Sequence, residues 1–420
     1  MLNHTDSWSA LVDLSRPVLT LDPYADPAEE ASELRSHGCP MVAVRLPGQP
    51  EVAVWAAVDH EAAREVFRRH EDLTKDPSAW PAFAAGEIPA TWPHLPVVTG
   101  GGFLHQDGAA HRRHRGLVSA AFRRLAVTEL TPEIEAITDE LLASLVPDSH
   151  DVIDLKARFA APLPIQVICT VLGVPADALT ELKAAFEQMI TPPEHPDDIP
   201  AAQAEIARAL GQLIADKRAN PGRDLTTQLI EATEDGERLT EAELVQTLFL
   251  LMIAGHETTI NLIASAIRRL ADQPKVLEAV RAGELGWDAV VAETLRHDPS
   301  VRYALMRYAT RDLEMGGVTI EQGDPVIVAT MAAGRDPEVH DRPDEWDPTR
   351  PNTSAHVAFG HGVHHCVGSV LAQQEAAIAL QRFFARFDVR LSAEPELVPS
   401  IPIHGPQSLL ARLEVRTPVA

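Results

Sequence analysis

The segment from Phe359 to Gly368 places three glycines, three histidines and one cysteine directly before a helical pattern. The apolar side chains that follow recur near one helix face and are Val367, Val370, Leu371, Ala377 and Ile378. Cys366 is therefore predicted at a helix N-terminus, where free N–H groups and the helix dipole favour a thiolate. Gly360 and Gly362 permit backbone conformations that other residues disfavour, and Gly368 lets a flat ligand approach the backbone. The segment predicts a loop that delivers a thiolate to an iron.

Three other interpretations of this segment are possible. A single cysteine is most often a small buried apolar residue. The cluster His361, His364, His365 and Cys366 has zinc-ligand chemistry, but no second Cys/His pair follows it. A dinucleotide-binding G-x-G-x-x-G starting at Gly360 needs a glycine at position 365, where a histidine stands.

A long central helix is predicted from Thr240 to about Leu270. Thr240-Glu-Ala-Glu243 matches a capping box, an apolar run follows from Leu248 to Ala254, and the pattern stops before Pro274. Roughly 30 residues give a helix of about 45 Å, enough to cross the molecule. Because its middle is apolar nearly all round, the helix is expected to be central.

Polar residues interrupt this helix at Ala254-Gly-His-Glu-Thr-Thr259. Thr258 Oγ can donate to the Ala254 carbonyl one turn back, which bends a helix and opens a turn that can hold water. A zinc-protease motif starting at His256 fails, because it needs a histidine where Ile260 stands. A kinked structural helix without chemistry is the alternative interpretation.

Together, Phe-Gly-x-Gly-x-His-x-Cys-x-Gly and Ala-Gly-His-Glu-Thr-Thr resemble the cytochrome P450 superfamily, soluble bacterial type. The resemblance implies a mainly α fold with small β-sheets, holding haem b (iron protoporphyrin IX) between the long helix and the cysteine loop. Cys366 is then the axial iron ligand, and a thiolate ligand favours O–O cleavage. Thr258 and Glu257 are the implied catalytic residues, handling oxygen and protons. The implied haem contacts also include Phe359, Gly360, Ala254 and Gly255.

The resemblance also implies that four residues hold the haem propionates: His111, Arg115, Arg307 and His364. His111 and Arg115 lie four apart and share a helix face, and arginine binds a carboxylate by a forked, charge-assisted pair. Glu293 and Arg296 resemble a structural ion pair of the family. The usual third cation of that network is missing from its expected place, where Glu345 stands, so the network is in doubt.

The whole chain, 1–420, is expected to form one domain. Small sheets are predicted in about 1–70 and 300–420, including strands at Met41–Arg45 and Val52–Trp55, and helices dominate about 105–300. The irregular stretch 75–103 is predicted to roof a pocket that 301–305 and 401–403 also line, and the Pro-rich loop 191–200 is a candidate lid.

Composition excludes several classes of function. The net charge is −25, which opposes binding to nucleic acid or anionic membranes. Three cysteines make a disulfide framework improbable, and no run approaches the roughly 18 apolar residues of a membrane span. A cytoplasmic monomer is expected. The cations Arg112, Arg113, Arg123 and Arg124 form a predicted docking patch for an acidic ferredoxin.

The function implied by the resemblance is monooxygenation: insertion of one atom of dioxygen into a C–H bond. Electrons come from NAD(P)H through a reductase and a ferredoxin. The substrate is expected to be apolar and medium to large, such as a steroid, macrolide or other natural product. Leu73–Trp80 and Trp92-Pro93 resemble an actinobacterial subgroup that hydroxylates such molecules. Aromatic coupling or desaturation on the same cofactor, and a non-catalytic haem carrier or sensor, are alternatives.

Overall fold

The computed structural model describes residues 19–416 apart from 126, 146–150, 234–235 and, between 176 and 197, residues 176, 177, 179, 180, 183 and 186–197. The candidate lid 191–200 therefore lies mostly outside the described residues.

Helices dominate the described part of the chain, which confirms the mainly α prediction. Their bounds are α1 Pro27–Ser36, α2 His60–Arg68, α3 Pro81–Ala84, α4 Leu95–Thr99, α5 Gly108–Leu125, α6 Thr131–Ser144, α7 Pro162–Leu172, α8 Asp198–Ala219, α9 Leu225–Glu231, α10 Glu241–Ala271, α11 Pro274–Arg281, α12 Trp287–His297, α13 Thr330–Gly334 and α14 Ser369–Arg386. A π-helical turn, Lys156–Ala160, precedes α7.

The strands form small sheets, again as predicted. They are β1 Leu19–Thr20, β2 Met41–Leu46, β3 Val52–Ala57, β4 Leu73–Thr74, β5 Ile153–Asp154, β6 Tyr303–Ala309, β7 Leu313–Met315, β8 Val318–Ile320, β9 Pro325–Ala329, β10 Phe387–Leu391 and β11 Leu410–Val415. The largest sheet has the order β1-β2-β3-β9-β6-β4, and the two smaller ones are β10-β11-β5 and β7-β8. The predicted hairpin is β2 and β3, antiparallel with Met41 opposite Ala57.

The central helix α10 begins at the predicted capping box. Thr240 Oγ1 accepts from the Glu243 backbone N–H at 3.2 Å, and Glu243 Oε2 accepts from the Thr240 N–H at 2.8 Å. At 31 residues the helix is about 46 Å long, and it packs against α7, α8, α12 and α14. It is long and apolar enough to cross a membrane, which the sequence analysis missed because polar residues interrupt its apolar run. Because 61% of its most apolar window is buried inside the protein, α10 is a core helix.

Helix α10 is not broken at the predicted opened turn. Thr258 Oγ1 donates to the Ala254 carbonyl at 2.6 Å as expected, but the helix runs without interruption from Glu241 to Ala271. A side-chain bond to that carbonyl can supplement the helical ladder without breaking it, because a carbonyl oxygen has two lone pairs.

The doubt about the buried ion network was misplaced, because Arg350 supplies the third partner. Glu293 and Arg296 are fully buried and joined at 2.7 Å, and Arg350 Nε donates to Glu293 Oε1 at 3.0 Å. Glu345 contributes only its backbone carbonyl, which accepts from Arg296 at 2.8 Å and from Arg350 at 2.9 Å. The third cation of the network therefore lies at position 350, five residues after Glu345 in the same segment.

Strand β6 is irregular where it faces the interior. Its antiparallel pairing with β9 shifts register between Ala304 and Arg307. In a regular strand adjacent side chains point to opposite faces, but a bulge re-aims them. Ala304 and Leu305 consequently line the same cavity.

Candidate active site

A cavity of about 450 Å³ lies between α10, the cysteine loop and β6. Most of its wall is apolar and includes Val97, Ile168, Leu250, Leu262, Leu305 and Ile403. The predicted pocket segments 75–103, 301–305 and 401–403 all contribute to the wall. The cavity is therefore a site for a large apolar ligand.

The cysteine loop is built as the sequence predicted at its glycines. Gly360 and Gly362 have φ values of +71° and +74°, which residues with side chains rarely adopt. The Cys366 N–H donates to the Phe359 carbonyl at 2.9 Å, which closes the loop. Phe359, Gly360 and Cys366 line the cavity.

Contrary to the prediction, Cys366 does not lie at the N-terminus of the helix that follows it. Helix α14 begins three residues later at Ser369, and Val370, assigned to the apolar face, is 58% exposed. Burial raises the pKa of the Cys366 thiol, while the Gly368 N–H and the charge of Arg115 lower that pKa. Cys366 lines the cavity and is exposed. A coordinated metal ion would deprotonate the thiol outright, so metal binding, and not the helix dipole, would produce a thiolate here.

Helix α10 places Thr258, the predicted catalytic alcohol, at the cavity wall, but it does not place Glu257, the predicted acid, there. Ala254, Gly255 and Thr258 line the cavity, whereas Glu257 does not. Glu257 Oε1 accepts from Asn261 Nδ2 at 3.0 Å, and Asn261 Oδ1 accepts from Lys156 Nζ at 3.0 Å. The carboxylate thus lies beside the cavity wall, in contact with a polar network.

The four predicted propionate residues gather at one end of the cavity. Arg115, Arg307 and His364 line it, and the His111 ring packs on the His364 ring with centroids 4.1 Å apart. Arg115 also donates to the His365 carbonyl at 2.7 Å, which ties α5 to the cysteine loop. Burial, then the charges of His364 and Arg115, lower the pKa of His111 to about 4, so its ring is neutral at pH 7.

Asp107 organises this end and was missed by the sequence analysis. Its carboxylate accepts from Thr74 Oγ1 at 2.7 Å, from the Lys75 N–H at 2.6 Å and from His364 Nε2 at 3.3 Å. Although burial opposes ionisation, these hydrogen bonds hold the pKa of Asp107 at about 2. Its position directly before α5, four residues ahead of His111, was the only available signal.

The residues present fit a haem. His111 Nε2 and Arg307 Nη1 are buried, and neither has a hydrogen-bond partner among the described residues. Arg307 Nη1 is a donor, and neutral His111 can donate through Nε2, so both can bind an acceptor such as a haem propionate, which is a carboxylate. On the flat walls, a Cβ added at Gly368 meets no protein atom within 4 Å, and one added at Gly255 meets only Ile168, at 3.9 Å.

The zinc interpretation of the cysteine loop is wrong. Within the described residues, no three or more His, Cys, Asp or Glu side chains converge in a group that could hold a metal ion. The histidines of the loop have other contacts, since His364 pairs with Asp107 and the His365 ring approaches Phe359 at 6.3 Å.

Glu375 is a second feature that the sequence analysis missed. It lies on α14, lines the cavity and is 3% exposed. Its Oε1 has no hydrogen-bond partner among the described residues, and burial raises its pKa to about 8. Glu375 is therefore a neutral carboxylic acid at pH 7, enclosed by the wall of the cavity.

A helical fold that encloses an apolar cavity between a cysteine loop and an alcohol-bearing core helix defines the class of haem-dependent monooxygenases. The family model described as Cytochrome P450 matches residues 190–283 and 287–411. The chain belongs to the cytochrome P450 family, uses haem as its cofactor and is an oxidoreductase of the monooxygenase type.

Curated relatives and solved structures cover nearly the whole chain. It is 37% identical to 2-hydroxy-5-methyl-1-naphthoate 7-hydroxylase of Streptomyces carzinostaticus, over 94% of this chain and 97% of that protein. It is 35% identical to cytochrome P450 monooxygenase PikC of Streptomyces venezuelae, over 95% of each chain. Testosterone-bound CYP154C4 from Streptomyces sp. ATCC 11861 matches with a TM-score of 0.87 and 37% identity, over 95% of this chain and 99% of that one.

The buried acid gives a pH-dependent stability prediction. A carboxyl whose pKa rises on folding contributes stability below the unfolded pKa of about 4.3 and loses it as pH rises through about 8. Glu375→Gln removes this loss, so the variant gains on the wild type by about 3 kcal/mol between about pH 4 and pH 7. Denaturant unfolding followed by circular dichroism at both pH values measures the change.

Glu71→Gln is the matched control, because the Glu71 side chain is exposed and its substitution leaves the pH dependence as in the wild type. A difference between the Glu375→Gln variant and the wild type that stays constant across this pH range contradicts a neutral buried acid.

Proposed function

We propose that this monooxygenase inserts one oxygen atom into a C–H bond of an apolar, medium-to-large substrate. The observation that carries the proposal is that Cys366 and Thr258 line the same cavity. Cys366 is the iron ligand of this proposal, while Phe359, Gly360, Ala254 and Gly255 face the macrocycle. When bound, the haem supplies oxygen activation, which a thiolate ligand directs towards O–O cleavage.

Thr258 and Glu257 divide the proton transfer between them. Thr258 Oγ1 is held by the Ala254 carbonyl at 2.6 Å, so its hydroxyl has a fixed position at the cavity wall. Glu257 lies at the preceding helix position, outside the cavity lining, where Asn261 Nδ2 donates to its Oε1. We propose that Glu257 takes up protons from the polar side of the wall and that Thr258 positions them on the cavity side.

The cavity wall limits the substrate to uncharged molecules. Apart from the end that gathers the propionate residues, its polar groups are mainly hydroxyls, contributed by Thr258, Thr259, Ser300, Tyr303 and Thr330. Hydroxyls can orient a ligand oxygen but do not compensate a buried charge. A steroid, macrolide or aromatic polyketide has this chemistry. The uncharged testosterone in the similar structure supports that class.

We propose a reduced ferredoxin as the electron donor, with an NAD(P)H-dependent reductase behind it. Arg112, Arg123 and Arg124 are exposed on α5, and Arg115 of the same helix contacts the cysteine loop that carries the proposed iron ligand. Arg113 does not belong to this patch, because it pairs with Glu243 and, at 3.3 Å, with Glu237. A cytoplasmic, single-domain monomer completes the proposal, and the net charge of −25 supports solubility.

Carbon monoxide tests the iron ligand. The reduced wild-type protein with carbon monoxide is expected to show the red-shifted Soret band of thiolate ligation, and Cys366→His is expected to abolish the shift while retaining haem. Absorption difference spectra measure it. Cys39→Ser is the control, because Cys39 Sγ contacts the Gly316 carbonyl far from the cavity and its loss leaves the band unchanged. A red-shifted band in the Cys366→His variant contradicts the assignment.

Loss of the Thr258 hydroxyl is expected to uncouple electron use from product formation. In Thr258→Ala, product per electron pair falls at least about tenfold and hydrogen peroxide rises, because protons are no longer positioned for O–O cleavage. Thr258→Ser keeps the hydroxyl and retains coupling close to the wild type. Peroxide and product assays under identical reductant supply distinguish the variants, and tight coupling in Thr258→Ala contradicts the relay.

Charge reversal tests the docking patch. Arg124→Glu is expected to slow reduction by an acidic ferredoxin by about tenfold at low ionic strength and less at high salt, because steering between exposed charges is screened. Stopped-flow reduction measures the rate. Arg412→Glu, exposed on β11, is the control and leaves the rate unchanged. Equal rates for both variants contradict docking at α5.

A further inference from the structure

Lys75 is a buried cation that the proposed mechanism does not use. It follows the edge strand β4, is 7% exposed and lines the cavity at its polar end. Within the described part of the chain, no carboxylate lies within ion-pair distance of its Nζ. A buried ammonium without a counter-ion costs several kcal/mol, so its position requires a cause.

Part of that cause is the bulge in β6. Lys75 Nζ donates to the Leu305 carbonyl at 3.0 Å and to the Met306 carbonyl at 3.1 Å. Both carbonyls belong to the irregular stretch between Ala304 and Arg307, where the pairing with β9 shifts register. Lys75 therefore satisfies carbonyls that the bulge leaves without ladder partners.

These two bonds leave one donor of the ammonium. A lysine ammonium carries three N–H donors, and only two are used by the carbonyls. The remaining donor belongs to a side chain that lines the cavity next to Arg307, whose Nη1 is also without a partner among the described residues. Two cations with free donors thus face the same space.

The nearby anion, Asp107, acts on this pair through space but does not contact either cationic group. Asp107 uses its carboxylate on Thr74 Oγ1, His364 Nε2 and the backbone N–H of Lys75, not on the Lys75 ammonium. Burial and then the charge of Arg307 lower the pKa of Lys75 to about 7, while Asp107 raises that pKa. A ligand carboxylate beside Nζ would keep Lys75 charged and supply the missing counter-ion.

We propose that Lys75 is a further binding residue for a haem propionate, acting with His111, Arg115 and Arg307, and that it joins propionate binding to the β6 bulge. The proposal rests on the haem-binding role proposed above. It adds one charge-assisted hydrogen bond between the Lys75 ammonium and a cofactor carboxylate. Because Lys75 also holds the Leu305 and Met306 carbonyls, it positions the strand that carries Arg307.

Haem transfer from the purified ferric holoprotein to excess apomyoglobin measures the contribution of Lys75. Lys75→Met keeps the length of the side chain but removes charge and donors, and Lys75→Gln keeps a donor for the carbonyls without the charge. Both variants are expected to lose haem at least about tenfold faster than the wild type, the size of a charge-assisted bond. Lys75→Arg, which keeps the charge, is expected to restore most of the difference.

Lys156→Met is the matched control. Lys156 Nζ also donates to a backbone carbonyl, that of Pro406 at 2.7 Å, and to Asn261 Oδ1 at 3.0 Å, but Lys156 does not line the cavity. Its haem loss is expected at the wild-type rate. If Lys156→Met and Lys75→Met accelerate haem loss equally, the proposal is overturned, because the loss of any buried lysine would then explain the faster haem loss.

Haem dimethyl ester separates propionate binding from strand positioning. When the apoproteins are reconstituted with the ester, the carboxylates are absent, so the wild type and Lys75→Gln are expected to release it at the same rate. A Lys75→Gln effect as large with the ester as with haem overturns the proposal and leaves a purely structural role. The carbon monoxide band reports the iron ligand independently: a red-shifted band in Lys75→Gln keeps the proposed function intact whichever way the haem-loss result falls.

Discussion

The fold depends on the buried ion network of Glu293, Arg296 and Arg350, in which loss of any one residue would deprive a buried charge of a partner. Glu293 and Arg296 have no exposed surface, and they connect α12 to the segment that leads into the cysteine loop through Arg350 and the carbonyls of Gly334 and Glu345. Desolvating these charges costs several kcal/mol for each ion, so the network is favourable only when every donor finds its acceptor. Close approach is part of this: a Cβ at Gly334 would lie 2.3 Å from the Arg296 carbonyl. The segment that leads into the cysteine loop is therefore held rigidly by this network.

The sequence predicted those features that local chemistry determines. The capping box of α10 and the left-handed glycines of the cysteine loop depend on residues within a few positions, and both were found. Features set by packing were missed. The partnership of Arg350 with Glu293 spans 57 positions, and the direction of Glu257 depends on how α10 is rotated against its neighbours. Burial gives Glu375 its raised pKa, and no pattern in a single sequence reports burial of one acid within an amphipathic helix.

The cavity separates charge from apolar surface. Arg115, Arg307 and Lys75 gather at one end, whereas most of the remaining wall is hydrocarbon. A flat ligand with carboxylates at one edge can enter such a space in one orientation only, because burying an unpaired carboxylate against hydrocarbon is strongly unfavourable. Asp107 hydrogen-bonds His364 and the Lys75 backbone N–H and contacts neither cationic side chain, although its charge raises the pKa of both Lys75 and Arg307.

The bulge in β6 gives one strand two duties. Ala304 and Leu305 shape the substrate side of the cavity, while Arg307, two residues later, lies at its polar end. A change of side chain at Leu305 alters cavity shape and leaves the backbone path intact. An insertion or deletion in the same strand shifts every following residue to the other face. Substitutions along β6 can therefore change substrate selectivity during evolution. Insertions and deletions in this strand cannot do so without displacing Arg307, which binds the prosthetic group in our proposal.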